Sequence, residues 1–190
     1  MYLKAFLTII ILTFTLQSWT KADDISDFQI EGMSIGDSLL DFYKIDKINS
    51  APKAYYPNSK KQYLTEFSDN LKTYDVVAVH IKENDKQFKI TSIKGVIFYN
   101  KKIKKCKKKM KEVELDISKS LNIEKKLYEE KEYPDKRGKA YITEFEINKD
   151  SLRIWCVNFY REAEKSGSID NLSISIEPYE FSKWLKDEAW

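Results

Sequence analysis

The sequence predicts an α+β domain: a mainly antiparallel sheet of about six strands with helices packed on one face, in the order α-βββ-α-βββ-α. Three observations lead there. Segments that alternate apolar and polar side chains come in two consecutive groups joined by short turn-rich stretches, the pattern of neighbouring antiparallel strands. Between the groups, Ile103, Cys106, Met110, Val113, Ile117 and Leu121 recur every three or four residues, which is one helical stripe over about five turns. After the second group, Pro178 precedes an amphipathic segment with Phe181, Trp184, Leu185 and Ala189 on one side.

Taken in order, Phe28 and Ile30 alternate before Gly32-Met33 turns the chain. Ser34 and Asp37 have the spacing of a capping box, in which a carboxylate reaches back three residues, so a short helix is expected from about Ile35 to Tyr43. The stretch from Asn49 to Lys61 contains Pro52 and Pro57 and should be irregular. Tyr63–Phe67 and Val77–Ile81 read as strands. Phe88 and Ile90 resume the alternation, and the phase slips after Thr91-Ser92, which predicts a β-bulge. Asn100 is the expected cap of the long helix, and Asn122 to Lys139, polar with Pro134 and Gly138, is expected to be a long surface loop. Tyr141–Ile147, Leu152–Phe159 and Leu172–Ile176 complete the strands, with a loop around Gly167. Apolar residues on both faces of Leu152–Phe159 place that strand inside the sheet. The two halves share one element order without detectable self-similarity.

The opening of the chain carries an address. Lys4 precedes a charge-free run, Ala5 to Leu16, then a polar stretch closing at Ala22, the layout of a cleavable secretory signal peptide. A charge-free run of twelve falls short of the roughly 20 residues that span a bilayer. Cleavage after Ala22 leaves 23–190 as a single domain, long enough to bury roughly 70% of its unfolded surface. The chain has 33 basic and 30 acidic residues. Without Lys4 and Lys21 the balance is +1, which argues against a nucleic-acid binder. Cys106 lies on the helical stripe and Cys156 on an apolar strand face, and an even cysteine count in an exported chain favours one disulfide. If the helix packs on that strand, the bridge closes a loop of about 50 residues and contributes roughly 4 kcal/mol. No later segment has membrane-spanning length, so the product is expected in the periplasm or outside the cell.

Chemistry is sparse. His80 is the only histidine, on the less apolar side of its strand. It has no partner at metal-ligand spacing and no nucleophile pattern beside it. No phosphate-binding glycine motif occurs, so no cofactor or metal is expected. Asp41, Asp69, Asp75, Glu144 and Glu146 are carboxylates that spacing alone does not pair. Eight lysines lie between Lys101 and Lys111. The plainer reading is a solvated helix face balanced by Glu112, Glu114 and Asp116. The functional reading is a basic patch, Lys101, Lys104, Lys105 and Lys108, for lipid headgroups, a polyanionic glycan or an acidic protein. Lys136, Arg137 and Lys139 form a second candidate contact in the stretch after Tyr133-Pro134-Asp135.

The segments FQIEGMSIGDSLLDFY, LKTYDVVAVHIKENDKQFKITSIKG, YPDKRGKAY and DNLSISIEPYEFSKWLKDEAW, with the Cys106 helix and the Cys156 strand, resemble a family of small exported proteins of unknown function. That family is found in AT-rich genomes of marine planktonic bacteria. The resemblance implies a periplasmic protein and carries over no functional residue. The Gly-Met-Ser entry followed by strands is similar, over about 15 residues, to small outer-membrane assembly lipoproteins and β-lactamase-inhibitor-type domains. The chain lacks the lipidated cysteine of the lipoproteins. The expected role is a non-catalytic periplasmic binding or protein-interaction module. The alternatives are a carboxylate-dependent hydrolase of the envelope and an inhibitor or adaptor docking through its sheet, with Trp155 and Phe159 as the residues that would mark such a face.

Overall fold

The structure, a computed structural model, describes residues 25–190; the expected leader, Met1 to Ala22, lies outside the described residues. The class is α+β and the sheet is wholly antiparallel. It holds eight strands, not about six, in the order β1-β2-β3-β4-β8-β7-β6-β5. These are Ala54–Tyr55, Gln62–Phe67, Val76–Lys82 and Ile90–Phe98 for β1 to β4, then Leu127–Glu132, Gly138–Ile147, Asp150–Phe159 and Asn171–Glu177 for β5 to β8. Two four-stranded meanders therefore meet at their last strands, β4 and β8, in register from Ile93↔Ile176 to Phe98↔Asn171.

The two unforeseen strands are the edges. β1 is two residues long. β5 falls in the stretch expected to be a loop. It was hidden because an edge strand has one neighbour and needs no buried alternation: Leu127-Tyr128-Glu129-Glu130-Lys131-Glu132 is exposed except for a half-buried Glu129. Gly138 then opens β6 where a Cβ would lie 2.5 Å from the Asn158 carbonyl oxygen, so the hairpin needs glycine at this close approach.

The phase slip is a bulge. Ile81 pairs with Ile90 and His80 with Ser92, leaving Thr91 unpaired in the ladder. Its hydroxyl donates to the Gln62 side chain at 2.6 Å and contacts the His80 carbonyl at 3.0 Å. Near the start, Asp37 accepts from the Ser34 N–H at 2.8 Å, as a capping carboxylate should. The chain then forms a 3₁₀ turn, Leu39–Asp41, and after it the helix α1, Ile45–Ser50, in place of one helix over 35–43. Positive φ at Gly36 (89°) interrupts helical geometry there.

Helix α2, Ile103–Leu121, has Lys102 rather than Asn100 at its N-cap position, with no side-chain cap, and ends on Asn122 in the left-handed region. Its buried Cys106 and Met110 pack on Phe145, Leu152, Ile154, Cys156 and Leu172 of β6, β7 and β8. The Cys106 and Cys156 sulfurs are bonded, 2.05 Å apart, tying helix to sheet across 50 residues. Beyond β4, the same sheet face continues as Val77, Val79, Ile81, Ile90 and Ile93 under Leu39 and Ile48.

Not all helices share that face. The last helix, α4, Tyr179–Trp184, runs on through a π-type turn, Leu185–Ala189, and lies on the opposite side. His80 alternates with Val79 and Ile81 and so points there. Its ring meets Phe181 at 4.5 Å between centroids, and its Nε2 is 2.7 Å from the Tyr56 hydroxyl. Tyr56 in turn packs edge-on against Trp184 and Trp190. The helix is pinned at both ends: the Tyr179 N–H donates to Asp150 at 2.7 Å, and the Asn58 N–H donates to the Ala189 carbonyl at 3.2 Å. A short helix α3, Arg161–Lys165, occupies the expected loop before β8.

Burial, and then the Lys94 charge, push the His80 pKa down to about 3. Below pH about 6.5 the unfolded chain takes up a proton at this site and the folded chain does not until pH about 3. Stability from this group is therefore complete above that window and is lost as pH falls through it. Urea unfolding should show about 2–3 kcal/mol lost between pH 6.5 and 4.5 that is missing in His80→Leu. Reducing the disulfide should lower the unfolding free energy by roughly 4 kcal/mol, read as an earlier urea midpoint.

Candidate functional site

The face that α4 covers at β3 remains open over β5, β6 and β7. There a groove of about 700 Å³ is lined by Leu127, Ile142, Trp155, Tyr133 and Pro134, with Trp190 as its far wall and Arg153 and Glu144 in its floor. Strand register builds the floor in ranks. Glu129, Ile142, Trp155 and Ser173 lie side by side, and one step along lie Leu127, Glu144, Arg153 and Ser175. Side chains two residues apart on one strand share a face, so Arg153 and Trp155 both look into the groove.

Arg153 is held by two carboxylates. Its Nε donates to Glu144 at 2.9 Å and its Nη1 to Glu177 at 2.9 Å. The Ser175 hydroxyl donates to the second Glu177 oxygen at 2.8 Å. Burial works against the Arg153 charge, but Glu177 and Glu144 outweigh it and hold its pKa above the ordinary value. The guanidinium plane is thus fixed from both sides while 33% of the side chain stays accessible. Trp190 is 70% exposed and Leu127 40% exposed, so an apolar and aromatic wall faces solvent beside a fixed cation.

Neither Leu127 nor Arg153 stood out in the sequence. Leu127 lies in an edge strand without alternation, and Arg153 acquires its meaning from Glu144 and Glu177 on different strands. Trp155 lies on this open face; Phe159, four residues on along the same face, is stacked against Tyr133, 6.2 Å between centroids. The other carboxylates go to separate partners: Asp69 to Lys47, Glu146 to Lys126, and Asp75 to the Phe98 N–H at 2.6 Å. Among the described residues no group of three metal-type ligands occurs, and no described helix is long and apolar enough to cross a membrane.

The two basic segments meet at one end of the sheet. β4 ends beside the start of β8, β7 ends beside the start of β6, and β5 ends beside Lys139. The turn before α2, the β5–β6 hairpin and the α3 connection therefore crowd together. Lys139 pairs with Glu130 at 2.5 Å, and both Lys139 and Lys107 stand over the Tyr141 ring, at 5.4 and 3.8 Å. Lys101 pairs with Glu164 at 3.1 Å, and Arg137 contacts Asp135 and the Tyr133 ring. Lys104, Lys105, Lys108 and Lys136 are exposed.

No family model, curated protein or solved structure matches the chain.

Replacing Arg153 by Met leaves Glu144 and Glu177 facing each other without their shared cation. Arg153→Met should cost about 2–3 kcal/mol of stability, less than a fully buried pair because the site is half open. Thermal melts should show Arg153→Met recovering in part when Glu144→Gln is added.

Proposed function

We propose that the protein is a non-catalytic binding module of the bacterial periplasm that docks a partner through the open sheet face of β5, β6 and β7. The observation that carries this reading is the surface formed by exposed Leu127 and Trp190 and half-buried Trp155 beside the clamped Arg153. Aromatic and arginine side chains are the usual anchors of interfaces, because they contribute large contact area and directed hydrogen bonds at low entropic cost. A guanidinium already fixed by two carboxylates loses little freedom when a third group binds it.

A hydrolytic role for Glu144 draws no support from this arrangement. General acid–base work needs a carboxyl free to exchange its proton with substrate. Glu144 and Glu177 are both occupied by one guanidinium. The resemblance to exported proteins of marine bacteria and the intramolecular disulfide agree with an oxidising compartment.

Photo-crosslinking in the cell envelope tests the reading. A benzoylphenylalanine at Leu127 should give a discrete protein adduct, and one at Leu115, exposed on α2 on the other side of the sheet, should not. Trp155→Ala should abolish the adduct while leaving the fold intact by circular dichroism. Equal adducts from both positions, or none, would remove the groove from consideration.

A further inference from the structure

From β4 across to β5, the end of the sheet that gathers the two basic segments differs in charge from the rest of the molecule. The connections 99–105, 133–139 and 160–170 hold nine cations and four acids. The rest of the described chain holds twenty-two cations and twenty-four acids. Four of the nine cations are paired locally: Lys101 with Glu164, Arg137 with Asp135, Lys139 with Glu130 and Lys165 with Glu162. Lys102, Lys104, Lys105, Lys136 and Arg161 have no ion-pair partner among the described residues, and all five are exposed.

Helix geometry sharpens the asymmetry. α2 begins here with no acidic residue in its first turn and no side-chain cap. The positive end of its dipole therefore adds to the lysine charge instead of being offset by a carboxylate. Such an arrangement is electrostatically unfavourable for the isolated fold and becomes favourable against a negative surface.

We infer that this end of the molecule, centred on Lys104, Lys105 and Lys136, docks on the surface of an anionic phospholipid bilayer. Charge complementarity is the first ground. The second is the kind of cation: seven of the nine are lysines, whose hydrated ammonium groups on flexible stems suit a fluid layer of headgroups better than a fixed bidentate site. The third is that Phe98 and Tyr160, 37% and 38% exposed, flank the same connections, and aromatic side chains favour the membrane interface. The surface adjoins the groove at Tyr133 and Pro134, but Phe98 and Tyr160 lie at strand ends, whereas Leu127, Arg153 and Trp155 of the groove lie along the strands, so the protein would sit on the membrane by its tip and leave that stretch of the groove free.

Co-sedimentation of the disulfide-bonded chain with vesicles tests the inference. Binding to phosphatidylglycerol-containing vesicles is expected at low salt, with none to phosphatidylcholine vesicles. It should vanish in 1 M salt, where charges are screened beyond about 3 Å. The triple variant Lys104→Gln, Lys105→Gln, Lys136→Gln should bind roughly tenfold or more weakly. An equal loss of charge at the opposite end, Lys82→Gln, Lys86→Gln, Lys89→Gln, should bind as the parent does, as should Trp155→Ala. The inference is overturned by no binding at low salt, by equal binding to neutral vesicles, or by the same loss in both triple variants. Capture of a soluble sulfated glycan or an acidic protein in place of the vesicles overturns it as well.

Discussion

The pairing of β4 with β8 is the constraint on which the rest of the molecule depends. Each half of the chain supplies a four-stranded meander, and without this pairing each would end in an unpaired edge at β4 or β8. Joining them along Ile93↔Ile176 and Ile97↔Leu172 turns two half-sheets into one eight-stranded surface with a continuous apolar face. Ile176 belongs to the cluster under Leu39 and Ile48, and Leu172 to the cluster under α2, so positions on one face of a single strand serve both cores. A slip of one residue at this seam would turn every side chain of β8 to the other face and open both.

The two faces then have different duties. One is closed by α2, the disulfide and the segments before β1, and it contains most of the large buried aliphatic residues. The other carries small or polar residues along its middle, including Ala78, Ser92, Ser173 and Ser175, all buried. The last helix starts beside Asp150 of β7 and covers this second face around His80 of β3. It is fixed there by aromatic contacts around Tyr56 and His80, where a neutral imidazole sits among rings at little cost. The uncovered remainder is the groove, whose polar floor is organised around Arg153. A charged residue in a sheet face is tolerated because both neighbouring strands supply a carboxylate at hydrogen-bond distance.

The features legible beforehand were those written in local periodicity. The α2 stripe, the alternation of β3, the bulge at Thr91, and the double-sided apolarity of β7 each follow from side chains within a few residues of one another. The bridge between Cys106 and Cys156 was legible because each cysteine lay on an apolar face and only one pairing existed. The features that escaped were relational. β5 has no buried alternation because it has one neighbour, and α3 is only five residues long. The placement of α4 on the second face was hidden because its stripe of Phe181, Trp184 and Ala189 would suit either side of the sheet. The candidate site suffered most: Leu127, Arg153 and Trp190 converge from three distant parts of the chain.

Sequence alone thus determined the α+β class, the long helix, the bulge and the disulfide, since each rests on hydrophobic period or on a forced pairing. Tertiary structure alone decided that the sheet has eight strands, that helices lie on both faces, and that two lysine-bearing segments share one end. The physical reason is the range of the interactions. Periodicity reports which side of an element avoids water, whereas strand neighbours, and the cavities and charge patches they create, depend on which elements meet in space.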